Sequence, residues 1–259
     1  MIMRNLFVVC GLAVLSATAV PVVAQDFEWR GRIARGDEIE IKGVNGSVFA
    51  EFAPGNEVVV TAEKQGRRYD PDEVEIEVVE GPNGVTICAV YPSRRGRRNE
   101  CRPGSRGRMN VRNNDTRVTF TVRVPAGVRF VARTVNGDVE AIDLQSEVEA
   151  YTVNGDIEVS TTEHAVATTV NGSIGASIGA GWNAALEFET VNGSIVLDLP
   201  ADIDADLEVS TVNGSIDTAF PITVTGRLSR RRLRGRIGDG GPLLSVRTVN
   251  GSIQLRRSR

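Results

Sequence analysis

The chain has a single histidine, His164, only two lysines, Lys42 and Lys64, and aromatic residues at 5% of its 259 positions. The lone histidine bears on one class of function, and the low aromatic content suits thin coils more than a thick core. A hydrolase elbow needs a histidine later in the chain than its serine, preceded by a strand and followed by a helix. Gly175-Ala176-Ser177-Ile178-Gly179 fits the Gly-x-Ser-x-Gly spelling, but it follows His164 and is flanked by strand-like repeats, so it reads as coincidence in a glycine-rich coil. His164, in Thr162-Glu163-His164-Ala165, reads as a solvent-exposed corner residue, since a metal or catalytic role needs partners that the sequence does not offer. The nonapeptide pattern of calcium-binding coils is absent, although Asp138 and Asp156 follow two corners. No cofactor or metal is expected.

Long apolar runs are confined to the first residues. Met1 to Ala24 carries Arg4, an apolar stretch from Leu6 to Val20 and small residues before Gln25, the layout of a signal peptide cleaved after Ala24. Val9 before Cys10 does not suit a lipidated cysteine. Nothing later has the 18 or so apolar residues of a membrane helix. The expectation is therefore an exported chain, in the periplasm, cell envelope or extracellular space. Removing Arg4 leaves 30 − 1 = 29 basic against 33 acidic residues, a net charge of 29 − 33 = −4, so no global charge favours nucleic acid. Of three cysteines, Cys88 and Cys101 lie outside the leader. Two thiols cannot make a structural zinc site, and in an oxidising compartment a disulfide closing about 14 residues is the first reading.

What is abundant is one phrase, Thr-Val-Asn-Gly followed by Ser or Asp and then Ile or Val. Its asparagines are Asn136, Asn154, Asn171, Asn192, Asn213 and Asn250, with an earlier relative at Asn45. Spacings of 17 to 21 residues between Asn136 and Asn213 belong to stacked repeats. The 37-residue gap before Asn250 reads as two coils, with Gly235-Arg236-Ile237 in place of a corner. Residues before each corner alternate, as in Leu186, Phe188, Thr190 against Glu187 and Glu189, which is the period of a strand with one buried face. Each coil thus reads as strand, Asn-Gly corner, strand, with second corners at Pro54, Pro125 and Pro200. Such a coil cannot bury its own inner face. Stacking about 4.8 Å apart closes a shared core, lets asparagine amides bond along the column, and uses glycine for positive φ at the corner.

These features specify an all-β solenoid with 17–21 residue coils and Asn-Gly corners. The alternative is a β-meander or sandwich, since Asn-Gly between alternating apolar residues is also a strong hairpin signal. The chain divides into the signal peptide (1–24), an N-terminal β region (25–127) with an Arg-rich disulfide loop (92–117), and regular repeats (128–259). Phe27 to Glu63 reads as a first pair of coils with a cap before Ile39, and Val74 to Tyr91 as a hairpin with Asn83-Gly84 at its tip. The sequence does not decide whether 25–127 continues the solenoid. Asn-Gly-Ser triplets and Asn114-Asp115-Thr116 match the glycosylation sequon, but corner chemistry explains the triplets and a glycan on each coil would oppose stacking.

Two arginine runs stand out. Arg94, Arg95, Arg97 and Arg98 open the disulfide loop, and Arg230, Arg231 and Arg232 lie in the irregular segment before the last repeat. Grouped guanidinium groups suit phosphate and carboxylate, so both runs are candidate anion-binding sites.

The Val-Asn-Gly-Ser-Ile coils, the Cys88 to Cys101 segment, the Val-Pro-Ala-Gly turn at 124–127 and Gly238 to Pro242 resemble the bacterial putative-adhesin family, also called the toast-rack domain. The resemblance implies a right-handed, single-stranded β-helix-like fold in an envelope protein, with no assigned catalytic residues. The expected function is a non-catalytic scaffold whose partner is an envelope polymer, anionic lipid or protein. A polysaccharide-active β-helix enzyme and a self-assembling filament are the other classes.

Overall fold

The computed structural model describes residues 27–93, 98–224, 229 and 231–258. The leader falls outside them, as do Arg94, Arg95, Arg97 and Arg230. Strand β1 (Phe27–Gly31) leads into a first coil of β2 (Glu38–Lys42) and β3 (Val48–Phe52), with Asn45-Gly46 between them. After β4 (Val58–Gln65) and β5 (Glu75–Gly81) comes a second coil, β6 (Gly84–Val90) and β7 (Arg117–Val124), whose corner is replaced by the disulfide loop. The third to sixth coils follow without interruption. They are β8 (Arg129–Arg133) with β9 (Val139–Leu144), β10 (Val148–Tyr151) with β11 (Ile157–Thr161), β12 (Ala165–Thr168) with β13 (Ile174–Ile178), and β14 (Leu186–Asn192) with β15 (Ile195–Leu199). The seventh is β16 (Ala205–Ser210) and β17 (Ile216–Thr218); β18 (Ile222–Val224) and β19 (Arg232–Ile237) then intervene before the eighth, β20 (Leu243–Asn250) and β21 (Ile253–Arg257).

The two strands of every coil go to two facing sheets, one of 10 strands and one of 11. Within the coils all neighbours are parallel and like residues lie side by side, for instance Phe188 beside Ala167 and Val246, and Ile195 beside Ile174 and Ile253. The inward residues form one core, with Phe120, Phe130, Phe188, Ile174 and Leu197 all fully buried. Burying each such side chain contributes roughly 1.5–3 kcal/mol. This is a β-solenoid, and hairpins of Asn-Gly type contribute only at its ends.

Stack order departs from chain order at both ends. The sheet orders place the first coil between the second and the third, and the eighth between the sixth and the seventh. Counted by chain position, the stack runs 2-1-3-4-5-6-8-7. The outermost coils carry the antiparallel covers. β4 and then β1 lie on β7, β5 lies on β6, and β19 followed by β18 lies on β16. An antiparallel strand cannot sit inside a parallel stack without breaking its register, so a coil bearing such a cover must be outermost and the chain's first and last coils are drawn inside.

Two readings are corrected. Only β2 and β3 of the region Phe27 to Glu63 form a coil, because β1 and β4 pair antiparallel as a cover. Gly235-Arg236-Ile237 is no corner; it lies in β19, paired antiparallel with Ala205 to Leu207 of β16.

Candidate functional site

The corner is the most repeated piece of chemistry, and each letter of its phrase has one task. The threonine is buried, and its hydroxyl donates to the glycine carbonyl of the adjacent coil: Thr134 to Gly46, Thr152 to Gly137, Thr169 to Gly155, at 2.9–3.0 Å. The asparagines form an unbroken chain in stack order, each Nδ2 donating to the next Oδ1 at 2.7–2.9 Å, from Asn213 through Asn250, Asn192, Asn171, Asn154 and Asn136 to Asn45. The residue after glycine offers a side-chain oxygen to the next coil's backbone N–H, as Asp138 does for Asp156 at 2.9 Å. The valine between threonine and asparagine stays over a third exposed in six coils, forming a ridge along this edge.

The glycines correct the expectation about φ. Of the seven corner glycines only Gly46 (123°) and Gly251 (159°) have positive φ. The shared requirement is close approach: a Cβ on Gly137, Gly155, Gly172, Gly193, Gly214 or Gly251 would overlap the carbonyl of the glycine in the coil beside it. That carbonyl is the one the threonine hydroxyl reaches.

At the second-coil end the ladder stops. Continuing the register that pairs Lys42 with Cys88 brings Tyr91 alongside Asn45. The Tyr91 hydroxyl donates to the Thr116 carbonyl at 2.8 Å and lies 3.4 Å from that of Asn45. Burial pushes its pKa up to about 12, against hydrogen bonding with Asn45. Cys88 and Cys101 are bonded, Cα to Cα 5.7 Å, and the loop folds over the outer face of β2. There Glu40 is fully buried, accepting from Arg133 Nε (2.9 Å), Thr86 Oγ1 (3.1 Å) and the Gly104 N–H (2.8 Å). Lys42 Nζ donates to the loop carbonyls of Arg102, Gly104 and Arg106 at 2.6–2.8 Å. Burial, with Arg133 adding to it, outweighs the charge of Glu40 and lowers the Lys42 pKa.

Next to this, Arg129 pairs with Glu38, Glu147 and Glu149, and Arg133 stacks 4.1 Å over the Tyr151 ring. Burial opposes the Glu149 carboxylate, but hydrogen bonds from Arg129 and Tyr151, with the charges of Arg129 and Arg133, hold its pKa below the ordinary value. The cations of β2 and β8 are therefore committed to the fold. On the outer face of the other sheet, burial and then the charges of Glu140 and Asp198 raise the pKa of Glu158.

The seventh-coil end differs. Arg234 bonds Glu208 at 2.5 Å, with Arg247 3.9 Å from the same carboxylate. Arg232 and Arg247 both neighbour Ser210 in register, on opposite sides. Together they line a groove of about 540 Å³ in which three guanidinium groups face one carboxylate. Of the sequence candidates, Arg232 lies in this groove and Arg231 just before it. Arg98 lines a different groove of about 630 Å³, beside Glu73, Glu75, Glu77 and Glu100. Arg234 belongs to the same basic run as Arg232, whereas Arg247 and Ser210 escaped the sequence reading because they lie in other segments; alternation marks them as outward, but only the register brings them together. Glu40 escaped because alternation makes it outward, and a loop 60 residues away covers it.

Gly175 to Ile178 lie in strand β13, and no helix follows among the described residues. Among the described residues no helix is long and apolar enough to cross a membrane.

The family model for the Toastrack DUF4097 domain matches residues 107–256, more than half of the chain. The chain belongs to the toastrack family. No curated protein matches it. A putative cell adhesion protein from Clostridium sporogenes is similar in structure, with 11% identity, a TM-score of 0.47, and coverage of 90% of this chain and 99% of that one. A putative adhesin from Bacteroides fragilis aligns at 12% identity and a TM-score of 0.31, covering 88% and 96%.

Proposed function

We propose that this toastrack chain is an exported, non-catalytic scaffold of the bacterial cell envelope that holds anionic envelope polymer on the arginine groove of its seventh-coil end. The observation that carries the reading is the uneven use of cations. Arg129, Arg133 and Lys42 are spent on internal carboxylates and carbonyls, whereas Arg232, Arg234 and Arg247 share Glu208 alone among the groove's residues. Arginine pairs spaced by a serine suit the carboxylate, sulfate or phosphate groups of an extended polymer. Export is supported by the leader's layout and by the Cys88–Cys101 bond, which persists in an oxidising compartment. The arginines at 94, 95, 97 and 98 are a second candidate contact.

The test is binding of the folded protein to an acidic polysaccharide and, in a separate arm, to vesicles containing phosphatidylglycerol. Replacing Arg232, Arg234 and Arg247 by serine is expected to abolish most of the affinity at low salt, and Arg94, Arg95, Arg97 and Arg98 to serine to remove less. Undiminished binding by the first variant would overturn the reading, and turnover of the polysaccharide would favour the enzyme class instead.

A further inference from the structure

The side-chain hydrogen bonds of the corner are all donated one way along the stack, toward the second-coil end, and this leaves the two ends unlike. In every coil with an Asn-Gly corner except the seventh, five groups are answered by the coil on the side toward Asn213. The valine carbonyl accepts an asparagine N–H, as Val44 does from Asn136 at 2.7 Å. The glycine carbonyl accepts a threonine hydroxyl, and the asparagine Oδ1 accepts the next Nδ2. The glycine N–H donates to an asparagine carbonyl, and the first N–H of the following strand donates to the residue after glycine, as Gly193 does to Asn250 and Ile195 to Ser252, both at 3.0 Å.

The seventh coil is the last in the stack, and the same five groups there, Val212 C=O, Asn213 Oδ1, Gly214 N–H, Gly214 C=O and Ile216 N–H, meet no partner among the described residues. The cover of β19 and β18 lies on β16 only, and among the described residues no strand pairs with the outer side of β17. Val212 is 54% exposed, against 36–38% for the valines of the other corners, and Gly214 and Ser215 are exposed where Gly193 and Ser194 are half-buried. At the opposite end Tyr91 and the antiparallel strands occupy the equivalent place, so a second copy stacked head to tail has no free corner to offer.

We infer that this open corner and β17 form a docking site for a strand-turn segment of a partner protein, with a turn of Thr-x-Asn-Gly-Ser chemistry and acidic flanks. The turn chemistry follows from the five groups, since such a turn answers them in every other coil. The charge follows from the surroundings: Arg231, whose carbonyl accepts from the Thr211 N–H, and Arg257, stacked on Phe220, bracket the strip, on which Asp217 is the acid. A segment added there extends the sheet by one rung, the strand-addition mode in which backbone bonds give affinity and side-chain contacts give specificity.

The probe is a labelled synthetic peptide of residues 186–199 of this chain, an acidic segment containing Thr190-Val191-Asn192-Gly193-Ser194, titrated with the folded protein and read by fluorescence anisotropy. Saturable binding is expected, weakened about tenfold or more when the peptide carries Thr190→Val with Asn192→Ala, which deletes two donors at unchanged charge. In the protein, Ile216→Pro removes an outward N–H and keeps the bonds that Ser215 and Ala219 make to β21, so it is expected to cause a similar loss. No saturable binding, or equal binding of both peptides, would overturn the inference even if the protein variant failed to fold. Self-association of the protein abolished by Ile216→Pro would assign the corner to a second copy and overturn it as well. Because both peptides carry the same charge, the outcome is independent of the arginine groove.

Discussion

The two ends of the stack use the same topological device and finish it differently. At one, the second coil lies outside the first, both sheets receive antiparallel covers, a disulfide loop is laid over Glu40, and Tyr91 closes the asparagine ladder. At the other, the seventh coil lies outside the eighth, one sheet is covered, the corner's hydrogen-bonding groups point outward, and arginines outnumber carboxylates in the groove. An end whose corner is closed and whose charged groups are paired is suited to stability. An end that leaves its corner's polar groups unmet at a surface is suited to binding, because water there holds them at little cost until a better partner arrives.

The contrast is most sharply tested through one carboxylate at each end. Replacing buried Glu40 by leucine strands Arg133 and the Gly104 N–H and is expected to cost about 3–5 kcal/mol in urea unfolding. Glu208→Gln at the other end, among exposed arginines, is expected to change stability by less than about 1 kcal/mol. Comparable losses would erase the distinction. Next in size, replacing both Cys88 and Cys101 by serine is expected to remove about 3 kcal/mol, as the loop-closure argument gives for a loop of this length. It should also speed hydrogen exchange at Gly104, whose N–H Glu40 holds, while leaving the Asn213 corner unchanged.

Smaller effects belong to the ladder. Asn154→Ala removes a donor and an acceptor in mid-stack, whereas Asn213→Ala removes one bond at the end, so losses of about 2 and about 1 kcal/mol are expected in parallel melts. Equal losses would mean that the number of ladder bonds does not set the contribution of each asparagine. The smallest effect is on pH dependence. The Glu149 pKa is lowered in the fold, so its contribution is present above the unfolded carboxylate value and lost as pH falls through the lower folded value. Glu149→Gln should therefore flatten the acid limb of the stability curve. Glu158 has the opposite sign: its raised pKa makes it a burden at neutral pH that is relieved on acidification, so Glu158→Gln should raise the melting temperature slightly at pH 7.

The contrast also explains what the sequence could convey. Periodic asparagines and alternating residues such as Leu186, Phe188 and Thr190 made the coils legible, because both reflect interactions every coil repeats. Coil order was not legible, since a Thr-Val-Asn-Gly-Ser corner stacks equally well on any other. The order is decided by segments that do not repeat, β5 and β19 among them. Gly235 fell at a coil-like spacing from Gly214, yet Arg232 to Ile237 alternates as a cover strand. In the sequence the corner glycines suggest a conformational requirement, whereas what most of them satisfy is the approach of a neighbouring carbonyl, a contact that exists only once the coils are stacked. Runs along the chain mark Arg230 to Arg232, but Arg232 and Arg247 meet across Ser210 from separate strands.

The non-sequential stack is the claim on which both ends depend, and cysteine pairs on the exposed valine ridge test it most directly. A disulfide forms when Cα atoms lie about 4.4–6.8 Å apart, which neighbouring coils at about 4.8 Å satisfy and coils two steps apart do not. Under mild oxidation, Val191→Cys paired with Val249→Cys is expected to crosslink, and so is Val212→Cys with Val249→Cys, as peptide mapping by mass spectrometry would show. Val191→Cys with Val212→Cys is expected to remain reduced. Efficient bridging of Cys pairs at 191 and 212, with none between 191 and 249, would restore the order of the chain and contradict the account.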